Sequence, residues 1–145
     1  MKRLLNIITA TNFKSNRIDL AILFFRVAVS VELILVHGLK KVGIDANTEV
    51  VPNPLHLPEF LNQCFADAAN LFFPLLVIVG LFTRLAVLPT LAVTLTGYFV
   101  VHLHDSLWVK DIPFMYSISF LLLLIIGSGK YSMDYFIHKK LNKDL

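Results

Sequence analysis

The stretch from Ile18 to Leu39, IDLAILFFRVAVSVELILVHGL, decides how the rest of the chain is read. A helix crossing a bilayer needs about 20 mostly apolar residues, and this run supplies them. Three further stretches repeat the pattern: 60–82, containing QCFADAANLFFPLLVIVGLF, then 85–103, then 113–128, whose start is placed within LWVKDI. The first span is 18–39, so residues 1–145 read as a single all-α membrane domain, an integral membrane four-helix bundle. Composition agrees. The chain is 57% hydrophobic and 16% charged, with a mean hydropathy of +0.73. An ordinary soluble domain is roughly 45–50% apolar, and a chain this short has too little interior to hide more.

The connections differ in kind. Residues 40–58 form one long loop, with Pro52, Pro54 and Pro58 and with Gly43 punctuating it. Thr83–Arg84 joins the second and third spans as a tight hairpin, and Pro74 and Pro89 fall inside those spans as kink positions. The N-terminal MKRLLNIITATNFKSNR is too mixed with polar residues for a signal peptide. It reads as a short interfacial helix or a disordered tail. Charge sets the orientation, because Lys and Arg collect on the cytoplasmic side. Lys2, Arg3, Lys14, Arg17, Arg84, Lys130, Lys139, Lys140 and Lys143 fall on one side, and only Lys40, Lys41 and Lys110 on the other. Both N- and C-termini are therefore expected in the cytoplasm. The net charge of +3 reflects this topology and forms no basic patch with interleaved aromatics, so no nucleic-acid partner is expected. Cys64 is the single cysteine, which excludes an intrachain disulfide and a CxxC redox pair.

Ionisable and polar groups inside spanning segments are costly and mark candidate sites. At 100° per residue, Arg26, Ser30, His37 and Lys41 share one face of the first span. Gln63, Asp67, Asn70 and Pro74 make a stripe on the second, and Thr90, Thr94, Tyr98 and His102 on the third. Counting depth from the cytoplasmic edge at 1.5 Å per residue puts Arg26 about 12 Å deep and the other polar groups in the outer half. The ligand-pocket candidates are His37, Lys41, Asp67, Asn70, Tyr98 and His102. Arg26, Glu32 and Thr94 read as structural polar groups within the membrane, Arg26 either snorkelling or locking a helix pair. No metal site is expected, since the two histidines of His102-Leu103-His104 point to opposite faces and make a weak metal motif unless the helix has ended there.

Three motifs carry a resemblance. Arg26 followed by His37, Gly38 and Lys41, then Gly80, Leu81, Thr83 and Arg84, then Gly127, Gly129, Lys130, Tyr131, Ser132 and Asp134 together resemble the DoxX family over residues 18–137. The chain departs where the family often has a glutamate in its second helix, since Asn70 stands at that place; Phe73 and Pro74 replace the usual glycines. A further glutamate common near the start of the fourth helix has no counterpart in 113–117.

The resemblance implies a bacterial inner-membrane four-helix protein tied to membrane redox systems, such as thiosulfate:quinone oxidoreductase. The expected function is a subunit or accessory of such a system with a quinone or small-molecule pocket in the outer half of the bundle. No intrinsic cofactor is expected; a bound quinone and, through His37 and His102, a b-type haem are the cofactors considered. The partners would be the lipid bilayer and either a second copy or a redox subunit supplying electrons. The alternative is a non-enzymatic scaffold, assembly factor or small-solute carrier.

Overall fold

The computed structural model describes residues 16–44 and 51–143. The N-terminal expectations, with Lys2, Arg3 and Lys14, lie outside the described residues. Within them, α1 is a continuous helical run over 16–41, α2 is Glu59–Val79, α3 is Thr83–Val101, α4 is Leu107–Ile126 and α5 is Met133–Lys143.

Helices α2, α3 and α4 are each long and apolar enough to cross a membrane. Only 28%, 28% and 17% of their most apolar stretches is buried inside the chain. Most of that apolar surface faces outward, which lipid tolerates and water does not. The protein is therefore an all-α membrane protein. Helix α1, about 39 Å long at 1.5 Å per residue, completes the bundle. It packs mainly on α2 and more thinly on α4, while α3 packs on α2 and α4, so α1 and α3 lie on a diagonal. The core where they meet is Leu33, Val77, Ala86, Val87, Leu91, Phe120 and Leu123.

Helix α4 begins at Leu107, at the start of LWVKDI, and Pro113 lies inside it rather than at its head. Lys110 does not break the helix, because its Nζ donates to the Leu103 carbonyl at 3.0 Å and lies 4.9 Å over the Tyr98 ring. Between α3 and α4, Ser117 Oγ lies 3.0 Å from Thr94 Oγ1 and 2.7 Å from the Pro113 carbonyl. Thr94 thus ties two helices together, through a partner on α4. Helix α5 has no counterpart in the sequence reading, which leaves residues beyond 128 as a tail.

Candidate functional site

The hairpin end of the bundle holds a buried polar junction. Arg26 is 1% exposed. Its Nη1 donates to the carbonyls of Val77 at 2.6 Å and Ile78 at 2.7 Å, and its Nη2 donates to the Tyr131 carbonyl. Those carbonyls lie in the last turn of α2, where intrahelical donors run out, and in the turn before α5. Gly80 ends α2 with φ +70°, and a Cβ there would meet Ser132 Cβ at 2.5 Å and Arg26 Nη1 at 2.6 Å. Only glycine admits both the left-handed turn and the guanidinium.

Two carboxylates complete the junction. Asp134 accepts from the backbone N–H of Phe82 at 2.7 Å and of Thr83 at 3.0 Å, and from Ser128 Oγ at 3.2 Å. Its own N–H donates to the Gly80 carbonyl at 2.9 Å. It caps α3 from across the turn, and this offsets the left-handed φ of +46° at Phe82. Asp19, fully buried, accepts from the Lys130 N–H at 3.0 Å and pairs with Lys130 Nζ at 3.2 Å. Arg26 of the first motif thus meets residues of the other two motif segments at one lock between α1, the α2–α3 hairpin and the α4–α5 turn. Its polar groups are largely engaged in holding the backbone, although Arg26 Nε makes no hydrogen bond and Asp19 Oδ2 is met only by the Lys130 ammonium.

The other half of the bundle is irregular. π-Helical turns interrupt α1 at Ile34–Gly38, α2 at Ala68–Phe72 and α3 at Gly97–Val101. The i→i−5 bonds run from the N–H of Leu39 to Ile34, of Phe73 to Ala68 and of His102 to Gly97. Each turn carries one pocket candidate: His37, Asn70 and Tyr98 respectively. The turns of α1 and α2 touch. A Cβ on Gly38 would lie 2.5 Å from Leu71 Cδ2 and 2.7 Å from the Asn70 carbonyl, so glycine lets the backbones approach. Thr90 of α3 donates to the Ala69 carbonyl at 2.7 Å, next to the irregular hydrogen bond.

The six pocket candidates fall into two groups. On the α1–α2 side, Gln63 Nε2 donates to the Lys41 carbonyl at 3.1 Å and to Asp67 Oδ1 at 2.9 Å, while buried Asn70 donates to Ala66 in its own helix at 2.6 Å. His37 stands edge-on to Tyr116 of α4, ring centroids 5.4 Å apart. On the α3–α4 side, Tyr98 lies against Phe114 at 5.6 Å, and His102 Nδ1 is 2.7 Å from Asp105 Oδ2. His37 and His102, the pair considered for a haem, sit on diagonal helices with separate partners.

Two grooves face outward between helices. One, of about 390 Å³, lies between α1 and α4 and is lined by Phe24, Phe25, Ala28, Val29, Glu32, Met115, Tyr116 and Ser119. The other, of about 220 Å³, lies between α3 and α4 and includes Leu95, Tyr98, Phe114 and Ser117. Neither is lined by His37, Lys41, Asp67, Asn70 or His102. The α1–α4 groove is the candidate site. Phe24 and Phe25 offer flat apolar walls, and Glu32, Tyr116 and Ser119 offer a carboxyl and two hydroxyls. The sequence marks Glu32 as a structural polar group and gives Tyr116 and Ser119 no role. Their signal was a hydroxyl pair three residues apart, hence on one face, in the most apolar helix.

Comparison with known proteins agrees with this architecture. The family profile described as DoxX matches residues 21–103. A protein of Haemophilus influenzae (strain ATCC 51907 / DSM 11121 / KW20 / Rd), described as uncharacterized, is 31% identical over 93 residues, which are 61% of this chain and 62% of that protein. The chain thus spans less than two thirds of that relative's length. No solved structure matches.

Proposed function

The chain belongs to the DoxX family, and from that premise we propose that it is a subunit or accessory of a membrane redox system, holding a quinone-class molecule between α1 and α4. The observation carrying this reading is the composition of the groove. Ligand sites are mostly apolar slots of roughly 300–1,000 Å³ with a few polar groups; this groove, open along one side, lies at the lower end of that range and is mostly apolar, with Glu32, Tyr116 and Ser119 in its lining. Phe24 and Phe25 would pack on a ring, and the Tyr116 and Ser119 hydroxyls would donate to its carbonyls. Glu32 is exposed at membrane depth, where a carboxyl is costly without a partner. It would hold or release a proton at the ligand head. A bound quinone would supply two-electron, two-proton chemistry. The electrons would come from a partner, because the sequence has one cysteine and no Gly-rich nucleotide fingerprint.

A short-chain quinone analogue tests this. At about 100 times its Kd it should raise the melting temperature of the purified protein by roughly 5–10 °C. Ala28→Trp, which fills the groove, should abolish the shift while leaving the ligand-free melting temperature unchanged. An equal shift in the variant, or none in the parent, would refute the site.

We further propose four crossings in a bacterial inner membrane with both termini cytoplasmic, from the nine-to-three distribution of Lys and Arg. In a Cys64-free background, an impermeant thiol reagent added to intact cells should label Ser106→Cys and spare Asn142→Cys. The reverse pattern would invert the topology.

A non-enzymatic scaffold is the second reading, and the hairpin-end junction favours it. There Arg26 and Asp134 are spent on backbone contacts between elements. An absorbance spectrum of protein purified from its own membrane separates the two, since copurified quinone absorbs and a bare scaffold does not.

A further inference from the structure

We propose that α5 is an interfacial helix that binds anionic phospholipid headgroups. Its position comes first. Helix α2 ends at Val79, α3 starts at Thr83 and α4 ends at Ile126, so three apolar helices stop at one level. The α5 backbone is pinned to that level, through the Asp134 N–H on the Gly80 carbonyl and the Asp134 carboxylate on Phe82 and Thr83. Ser132 Oγ accepts the Tyr135 N–H at 3.2 Å and caps the first turn. A helix fixed where the apolar spans stop lies in the headgroup layer.

Its faces differ in chemistry. At 100° per residue, Ile137, His138 and Leu141 share a face with Asp134, and these four are buried or half-buried. Met133, Phe136, Lys139 and Lys140 point away. Phe136 is 63% exposed and Met133 49%, and Tyr131 just before the helix is 48% exposed. No ion pair or hydrogen bond among the described residues engages Lys139 or Lys140. Lys130 differs, because Asp19 and Asn16 hold it. An outward face that mixes large apolar side chains with two lysines is complementary to an anionic lipid surface. The rings and thioether enter the acyl boundary while the ammonium groups meet phosphate. Water alone would leave Phe136 and Met133 exposed without compensation, and a zwitterionic lipid, whose phosphate is already balanced by its own ammonium, would offer the two lysines no net counter-charge. The inference is independent of the α1–α4 groove.

The test uses the full chain in detergent, with phosphatidylglycerol or phosphatidylcholine added, and reads retained lipid by native mass spectrometry. Phosphatidylglycerol should be retained in preference. The double variant Lys139→Gln/Lys140→Gln should weaken that retention roughly 25-fold, at one surface-lysine contribution each. Its melting temperature in phosphatidylcholine should not change, which excludes unfolding as the cause. Phe136→Ser should weaken retention of both lipids. Equal retention of the two lipids, or undiminished phosphatidylglycerol on the double variant, would overturn the proposal. So would conversion of a dimer to a monomer by the double variant, which would assign this face to a second copy of the chain.

Discussion

Arg26→Leu is expected to destabilise the protein by roughly 3–5 kcal/mol, lowering its melting temperature in detergent by about 10 °C or more. The substitution removes hydrogen bonds to the carbonyls of Val77, Ile78 and Tyr131 at once. Hydrogen bonds from a charged donor contribute about 1.5–3 kcal/mol each, and buried carbonyls left without donors add their own cost. The effects are not additive, so the sum of three sets an upper limit. Leucine has the apolar volume to fill part of the space but offers those carbonyls nothing. Arg26→Lys should fall between, because one ammonium cannot reproduce the planar fork that reaches α2 and the α4–α5 turn together. An unchanged melting temperature in Arg26→Leu would mean that the guanidinium does not bridge these elements.

Asp134→Ala comes next in size, at about 3–4 kcal/mol, because it exposes the first amides of α3 to an interior without acceptors and strips Ser128 of its partner. It also removes a negative charge from the neighbourhood of the Arg26 guanidinium. Asp134→Asn keeps the shape and one acceptor, and should lose about half as much. Hydrogen exchange locates the effect: the amides of Phe82 and Thr83 should exchange much faster in Asp134→Ala, while those of the α4 centre around Phe120 should hardly change. Uniform acceleration across both regions would show that the carboxylate does not act as a local cap.

The helical, membrane-embedded character of the chain was legible because it depends on composition and run length, which the apolar stretches carry directly. Arg26, Gly80 and Asp134 were legible as parts of motifs, but their roles were not. A capping carboxylate 52 residues from the amide it holds leaves no periodic trace. Asp19 was passed over for a related reason. A carboxylate near the start of a helix resembles a solvated one until Lys130 is brought to it across 111 residues.

The polar stripes met a different obstacle. They assume 100° per residue throughout, whereas each π turn inserts one residue and rotates the rest of the helix by about 100°. In α1 the π turn begins at Ile34, after Ser30 and before His37. Arg26 and Ser30 therefore stay on the α2-facing side, while His37 comes round to Tyr116 of α4. The same insertion in α3 shifts Tyr98 and His102 away from the line set by Thr90 and Thr94. A single convergent pocket built from those stripes gives way to a groove on the α1–α4 face. Glu32, two residues before the π turn, lies in that groove, on a face away from the stripe.

That groove is the central claim, and solvent extraction with mass spectrometry of protein purified from its own membrane tests it most directly. The parent chain should carry close to one quinone-class molecule per copy. Leu95→Trp, which fills the α3–α4 groove instead, should carry as much. Ala28→Trp should carry almost none. A parent chain that yields only phospholipid, or an Ala28→Trp variant that retains the quinone in full, would contradict the account.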